Sequence, residues 1–84
     1  MISRTINVSI EENRNVRPEA VLVQVASKYD CHIDVEYDNK KVNAKSIIGM
    51  MSLGIFPGEV VTVYADGIDE TTAVNDIEKY LSSK

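Results

Sequence analysis

Several things are scarce in this chain, and each scarcity closes a door. There is one cysteine, Cys31, so no disulfide can form within the molecule, and a reducing compartment suits it. There is one histidine, His32, with no second ligand at a useful spacing, so no metal site and no metal cofactor is expected. No apolar run approaches the roughly 20 residues needed to span a bilayer, and no charged-then-apolar leader opens the sequence. The expectation is therefore a cytoplasmic protein with no membrane partner. Basic residues are in the minority: the net charge is −4, which leaves no electrostatic footprint for direct nucleic-acid binding. No repeat, low-complexity tract or linker is visible. Paired carboxylates, a glycine-rich phosphate loop and a nucleophile triad are all missing, so nothing reads as an enzyme.

What is present is an ordinary folding sequence. With 44% apolar and 26% charged residues, the 84 residues fall among folded rather than disordered chains. They suffice for one domain, 1–84, with a small core: a chain this short buries only about 60% of its unfolded surface.

Taken in order, Ile2, Ile6, Val8 and Ile10 alternate with Ser3, Thr5, Asn7 and Ser9, which predicts a half-buried strand with Arg4 as the one misfit on the apolar side. A polar loop, 11–15, follows. Pro18 and Glu19 suit a first helical turn. The helix is expected to run to Tyr29 through Leu22, Val25 and Ala26, although three valines also alternate like a strand. Cys31 to Tyr37 reads as a strand, Asp38-Asn39 as a turn, and Lys40 to Asn43 as the returning strand. Glu59 to Ala65 is β-branched and aromatic and predicts the last strand. Asp66-Gly67 is a turn. A final helix capped at Asp69 buries Val74, Ile77 and Leu81, with Ile68 expected to staple onto Ala73. Two layers, with helices over one face of a largely antiparallel sheet, would bury each apolar face once. The fold class is therefore α+β, in the order βαββαβα.

The most informative stretch lies between the third and fourth strands. Ser46 stands where a helix N-cap would stand, and Gly54 where a left-handed residue would close the helix. Between them Ile47, Ile48, Met50, Met51 and Leu53 are too apolar for one helix to bury in a small domain, so part of them must face water or a partner. Lys40, Lys41 and Lys45 form a basic rim nearby. Taken alone, Ser46 is an ordinary cap and Arg17 an ordinary solvated charge.

The run Lys40-Lys41-Val42-Asn43-Ala44-Lys45-Ser46-Ile47-Ile48-Gly49-Met50-Met51-Ser52-Leu53 nevertheless resembles the regulatory-serine segment of the HPr phosphocarrier family. Arg17-Pro18, Leu22-Val23-Gln24, Ala26-Ser27-Lys28, Glu36-Tyr37, Asp69-Glu70 and Ala73-Val74 fall where that family has them. The likeness spans essentially all 84 residues. It implies an open-faced sandwich with strands ordered 1423 and three helices on one face. In the phosphocarriers a histidine stands two residues before the Arg-Pro pair. Here that position is Asn15, whose amide nitrogen is delocalised into its carbonyl and cannot form the phosphoramidate. Asn13, Arg14 and Glu19 also depart from the family pattern, and Glu19 adds negative charge where an incoming phosphoryl group would be repelled.

Loss of the histidine with retention of the serine is the profile of the catabolite-repression HPr-like proteins of Gram-positive bacteria. That subgroup implies phosphorylation of Ser46 by an ATP-dependent HPr kinase/phosphorylase. The product would then bind a LacI-type catabolite control protein as corepressor through Arg17, Lys45, Ile47, Ile48 and Met51. Metabolic enzymes are further candidate partners. Two other readings stay open at this point: a phosphocarrier component of the sugar phosphotransferase system with an atypical acceptor such as His32, and a kinase-titrating decoy or partner of a metabolic enzyme, independent of DNA. The subgroup also implies either a monomer or a homodimer that exchanges the first strand.

Overall fold

The computed structural model describes residues 1–9, 18–54 and 58–82, and all structural statements concern these. Alternation drives the strands. β1 (Ile2–Asn7), β2 (His32–Tyr37), β3 (Lys40–Asn43) and β4 (Val60–Asp66) form one antiparallel sheet in the order β1-β4-β2-β3. The register is set by apolar residues that must share a face. Ile6 lies opposite Val61, Ile2 opposite Ala65, and Ala65 in turn opposite Ile33. Arg4, Val63, Val35 and Val42 make one row across the whole sheet. The two-residue hairpin between β2 and β3 turns at Asp38 and Asn39, both with positive φ (53° and 65°), as a hairpin twisted to match its strands requires.

Three helices cover the apolar face: α1 (Pro18–Ala26), α2 (Ile47–Leu53) and α3 (Glu70–Leu81). α1 buries Leu22 and Ala26, α2 buries Met50 and Leu53, and α3 buries Ala73, Val74, Ile77 and Leu81 against Ile6, Ile33, Val35, Val61, Val63 and Ala65. Each fully buried Leu, Ile or Val adds roughly 1.5–3 kcal/mol relative to exposure, so this one cluster holds the layers together.

Arg4 has a place despite its polarity. It sits on the helical side of an edge strand, and its guanidinium donates to Asn75 Oδ1 (2.7 Å) and Glu78 Oε1 (2.9 Å) on α3. A charge turned inward at a sheet edge also discourages pairing with a stray strand.

Three expectations need correction. The helix ends at Ala26 rather than Tyr29, because Lys28 and Tyr29 donate to the carbonyls of Val25 and Ala26, a tighter i to i−3 pattern. Ile68 is fully exposed (104%), so no staple to Ala73 exists. Asp69 occupies the N-cap position of α3 without making a side-chain cap bond. Its carboxylate instead accepts the backbone N–H groups of Asp30 (2.9 Å) and Cys31 (3.0 Å). Ile10, expected in the first strand, lies outside the described residues.

These bonds have a pH signature. The Asp30 N–H, above all, holds the Asp69 carboxyl below its ordinary 3.8. A depressed folded value means that the clamp's stability is fully present above the ordinary value and is lost as pH falls through the lower folded one. Asp69→Asn should therefore unfold at lower urea than the parent at pH 7, and the gap should narrow steadily below pH 4 in urea melts. A gap that stays constant with pH would refute the clamp.

Candidate functional site

The approach to α2 is built by one side chain. Asn43 ends β3; its Oδ1 accepts the Lys45 N–H (2.8 Å) and its carbonyl accepts the Ser46 N–H (3.0 Å). Such self-closing turns are what a short amide side chain does well. Ala44 is buried between them, with its N–H on the Ile33 carbonyl (2.9 Å). The double turn leaves Ser46 exposed at the head of α2 in an extended conformation (φ −101°, ψ 114°). Its Oγ accepts the Gly49 N–H (3.2 Å), and its carbonyl accepts the Met50 N–H (2.9 Å). The helix closes at Gly54 in the left-handed region (φ 66°).

Between these caps the apolar residues divide as a single stripe demands. Met50 and Leu53 face the core, while Ile47 (43%), Ile48 (82%) and Met51 (41%) face solvent beside the Ser46 hydroxyl. The site is thus a neutral, cap-bonded hydroxyl bordered by three exposed apolar side chains.

The basic rim is dispersed. Lys45 turns its ammonium onto the Tyr29 carbonyl (2.5 Å), beyond the end of α1. Lys41 lies on the opposite, open face of the sheet, 4.3 Å from the centre of the Tyr64 ring. β3 alternates, so Lys41 cannot share a surface with Ser46. Asn15 and Arg17 fall outside the described residues. His32 is exposed, with Nε2 3.0 Å from Asp34 Oδ2. Cys31 is buried, and burial pushes its thiol up to about 11, with the neighbouring Asp69 carboxylate adding to the rise. It is a core thiol rather than a nucleophile. Among the described residues no three His, Cys, Asp or Glu come together as a metal site, and no helix is long and apolar enough to cross a membrane.

Sequence reasoning missed the ties around the segment 29–31. Lys45 holds it from α2's side, the Asp69 carboxylate from α3's N-terminus, and Asp76 accepts the Tyr29 hydroxyl. That last bond raises the Tyr29 phenol to about 12. These partners lie 16 to 47 residues apart in sequence, and no local pattern announces them.

Comparison with known proteins places this geometry. The profile described as the PTS HPr component phosphorylation site matches residues 2–83. The crystal structure of a phosphocarrier protein HPr from Bacillus anthracis superposes with a TM-score of 0.87 at 36% identity, covering 95% of each chain. HPr-C-His from Thermoanaerobacter tengcongensis is 45% identical, with a TM-score of 0.82, over 100% of this chain and 99% of that one. Crh, the catabolite-repression protein of Bacillus subtilis, crystallised as a dimer with a swapped domain, is 38% identical with a TM-score of 0.71, over 90% and 83%.

Proposed function

Because the chain belongs to the HPr family, we propose that it is a non-enzymatic regulator of carbon catabolite repression, switched by phosphorylation of Ser46. HPr kinase/phosphorylase adds the phosphate from ATP, and the product binds a LacI-type catabolite control protein as corepressor. The observation that carries this reading is the exposed Ser46 hydroxyl at the head of α2, bordered by Ile47, Ile48 and Met51. Asn15 in place of the phosphocarriers' histidine supports it from the sequence, and the likeness to Crh supports the pathway.

The chemistry of the switch is local. Phosphorylation replaces a neutral acceptor by a group of roughly −1.5 to −2 charge with three strong acceptor oxygens. One oxygen can keep the Gly49 N–H that Oγ now holds, so α2 need not melt. The others face solvent, where an arginine or a protonated histidine of the partner reads them by charge-assisted hydrogen bonds. Lys45 gives one of its three N–H donors to the Tyr29 carbonyl, which leaves two for a partner or a phosphate. Ile47, Ile48 and Met51 supply apolar contact independent of charge, and methionine adapts to more than one partner. Arg17, which lies outside the described residues, is a further contact that the likeness to the family implies.

Incubation with the kinase and ATP should add the mass of one phosphate to the parent and none to Ser46→Ala. Phosphoenolpyruvate with the general phosphotransferase enzyme should leave no acid-labile adduct. An unchanged mass with ATP, or labelling from phosphoenolpyruvate, would overturn the assignment.

A further inference from the structure

On the helical side, away from the α2 surface, a groove of about 330 Å³ runs between α1 and α3, lined by Val25, Lys28, Asp76, Lys79 and Tyr80. Its charge is unlike that of the whole protein. The chain carries −4 overall, yet two of the three charged residues on the lining are lysines. Both are exposed, and among the described residues neither has an ion-pair partner. Asp76, the one acid among the lining residues, keeps its charge while accepting the Tyr29 hydroxyl, so the lining is net +1. The helix dipoles do not decide the field. Tyr29 and Asp30 at the end of α1 lie beside Asp76 and Asp69, while Glu19 at its start lies beside Tyr80. The helices therefore run antiparallel, and their opposed dipoles largely cancel over the groove. Val25 and the half-buried Tyr80 give the floor an apolar part.

We infer that this groove binds a small organic phosphate monoester, its dianion held by Lys28 and Lys79 and its carbon body seated on Val25 and Tyr80. Size and charge both favour that occupant. The volume lies at the small-molecule end of the range for ligand pockets. The lining is net +1, so it favours an anion, and its two separate ammonium groups can each reach one of a phosphate's three acceptor oxygens, where a carboxylate offers only two. No residue of α2 is among the groove's lining, so the groove and the Ser46 surface are distinct. The inference stands whether or not Ser46 is phosphorylated.

Phenyl phosphate titrated into the ¹⁵N-labelled protein tests it by amide shifts. Saturable movement is expected at Val25, Lys28, Asp76, Lys79 and Tyr80, with residues 46–51 unmoved. The double variant Lys28→Gln/Lys79→Gln should bind about tenfold more weakly, the loss expected for charge-assisted contacts. Lys40→Gln/Lys41→Gln, which removes the same charge elsewhere, should bind as the parent does. Both pairs are exposed, so folding should survive; if the first double variant melts early, the single Lys79→Gln should still show a weakened titration. Shifts spread over all lysine-bearing segments, equal losses in the two double variants, or an equal response to phenol would overturn the inference. So would saturable binding of a polyglutamate peptide with none of phenyl phosphate.

Discussion

Ile48→Glu in the Ser46-phosphorylated protein should weaken binding to the catabolite control protein by about 30-fold or more, as read by calorimetry. Truncating or reversing an apolar anchor at the centre of an interface costs 2 kcal/mol or more, and each 1.4 kcal/mol is tenfold. Ile48 is the candidate anchor because it is the most exposed of the three apolar residues beside Ser46, at 82%. A side chain so far out adds almost nothing to the fold, so the melting midpoint should stay close to that of the parent. Those two readouts separate a docking residue from a structural one. If affinity is unchanged while Ser46 is fully phosphorylated, the apolar patch is not the contact and the phosphate alone is being read.

Gly67→Ala should have the largest effect on stability, a loss of about 2–4 kcal/mol. A Cβ at residue 67 would lie 2.6 Å from Cys31 Cβ and 2.7 Å from Cys31 Cα. The obstacle is backbone and the root of a buried side chain, which cannot swing aside. The φ of 154° adds strain for any L-residue. In a domain of this size the midpoint should fall by more than about 10 °C. Gly58→Ala isolates the two contributions: φ there is 92°, but nothing lies within 4 Å of the added carbon, so only the conformational penalty of about 1 kcal/mol remains. Equal losses at the two positions in urea melts would show that the Cys31 contact does not matter.

Gly67 also marks the boundary of what the sequence discloses. Asp66-Gly67 is legible as a turn because turn chemistry is local. That the turn presses on Cys31, 36 residues away in the chain, is set only by the packing of β2 beside β4. The same division runs through the molecule. The helix from Ser46 to Gly54 is legible to the residue because its caps are side-chain and backbone effects within one turn. The order of elements follows from hydrophobic period. The strand order 1423 followed from family resemblance, since alternation says which face is buried but not which neighbour is paired. Asp69 looked like a cap by position, but the free N–H groups of residues 30 and 31 compete for its carboxylate and win. Lys41 looked like part of a basic rim because three lysines are close in sequence; strand alternation sends it to the far face. For the site, the exposed half of α2 could be inferred from its excess of apolar residues. The groove between α1 and α3 could not, since its lining is split between residues 25–28 and 76–80.

Arg4 bears on how copies of this chain could meet. Its hydrogen bonds, like the pairing of β1 with β4, join the first few residues to a body formed by later ones. Nothing in that latch records which molecule the strand came from. A strand donated by a second copy would make the same bonds to Asn75 and Glu78 and the same ladder to β4. In bonding terms such an exchange would therefore be close to neutral, and its extent would be read from how the mass in solution changes with concentration.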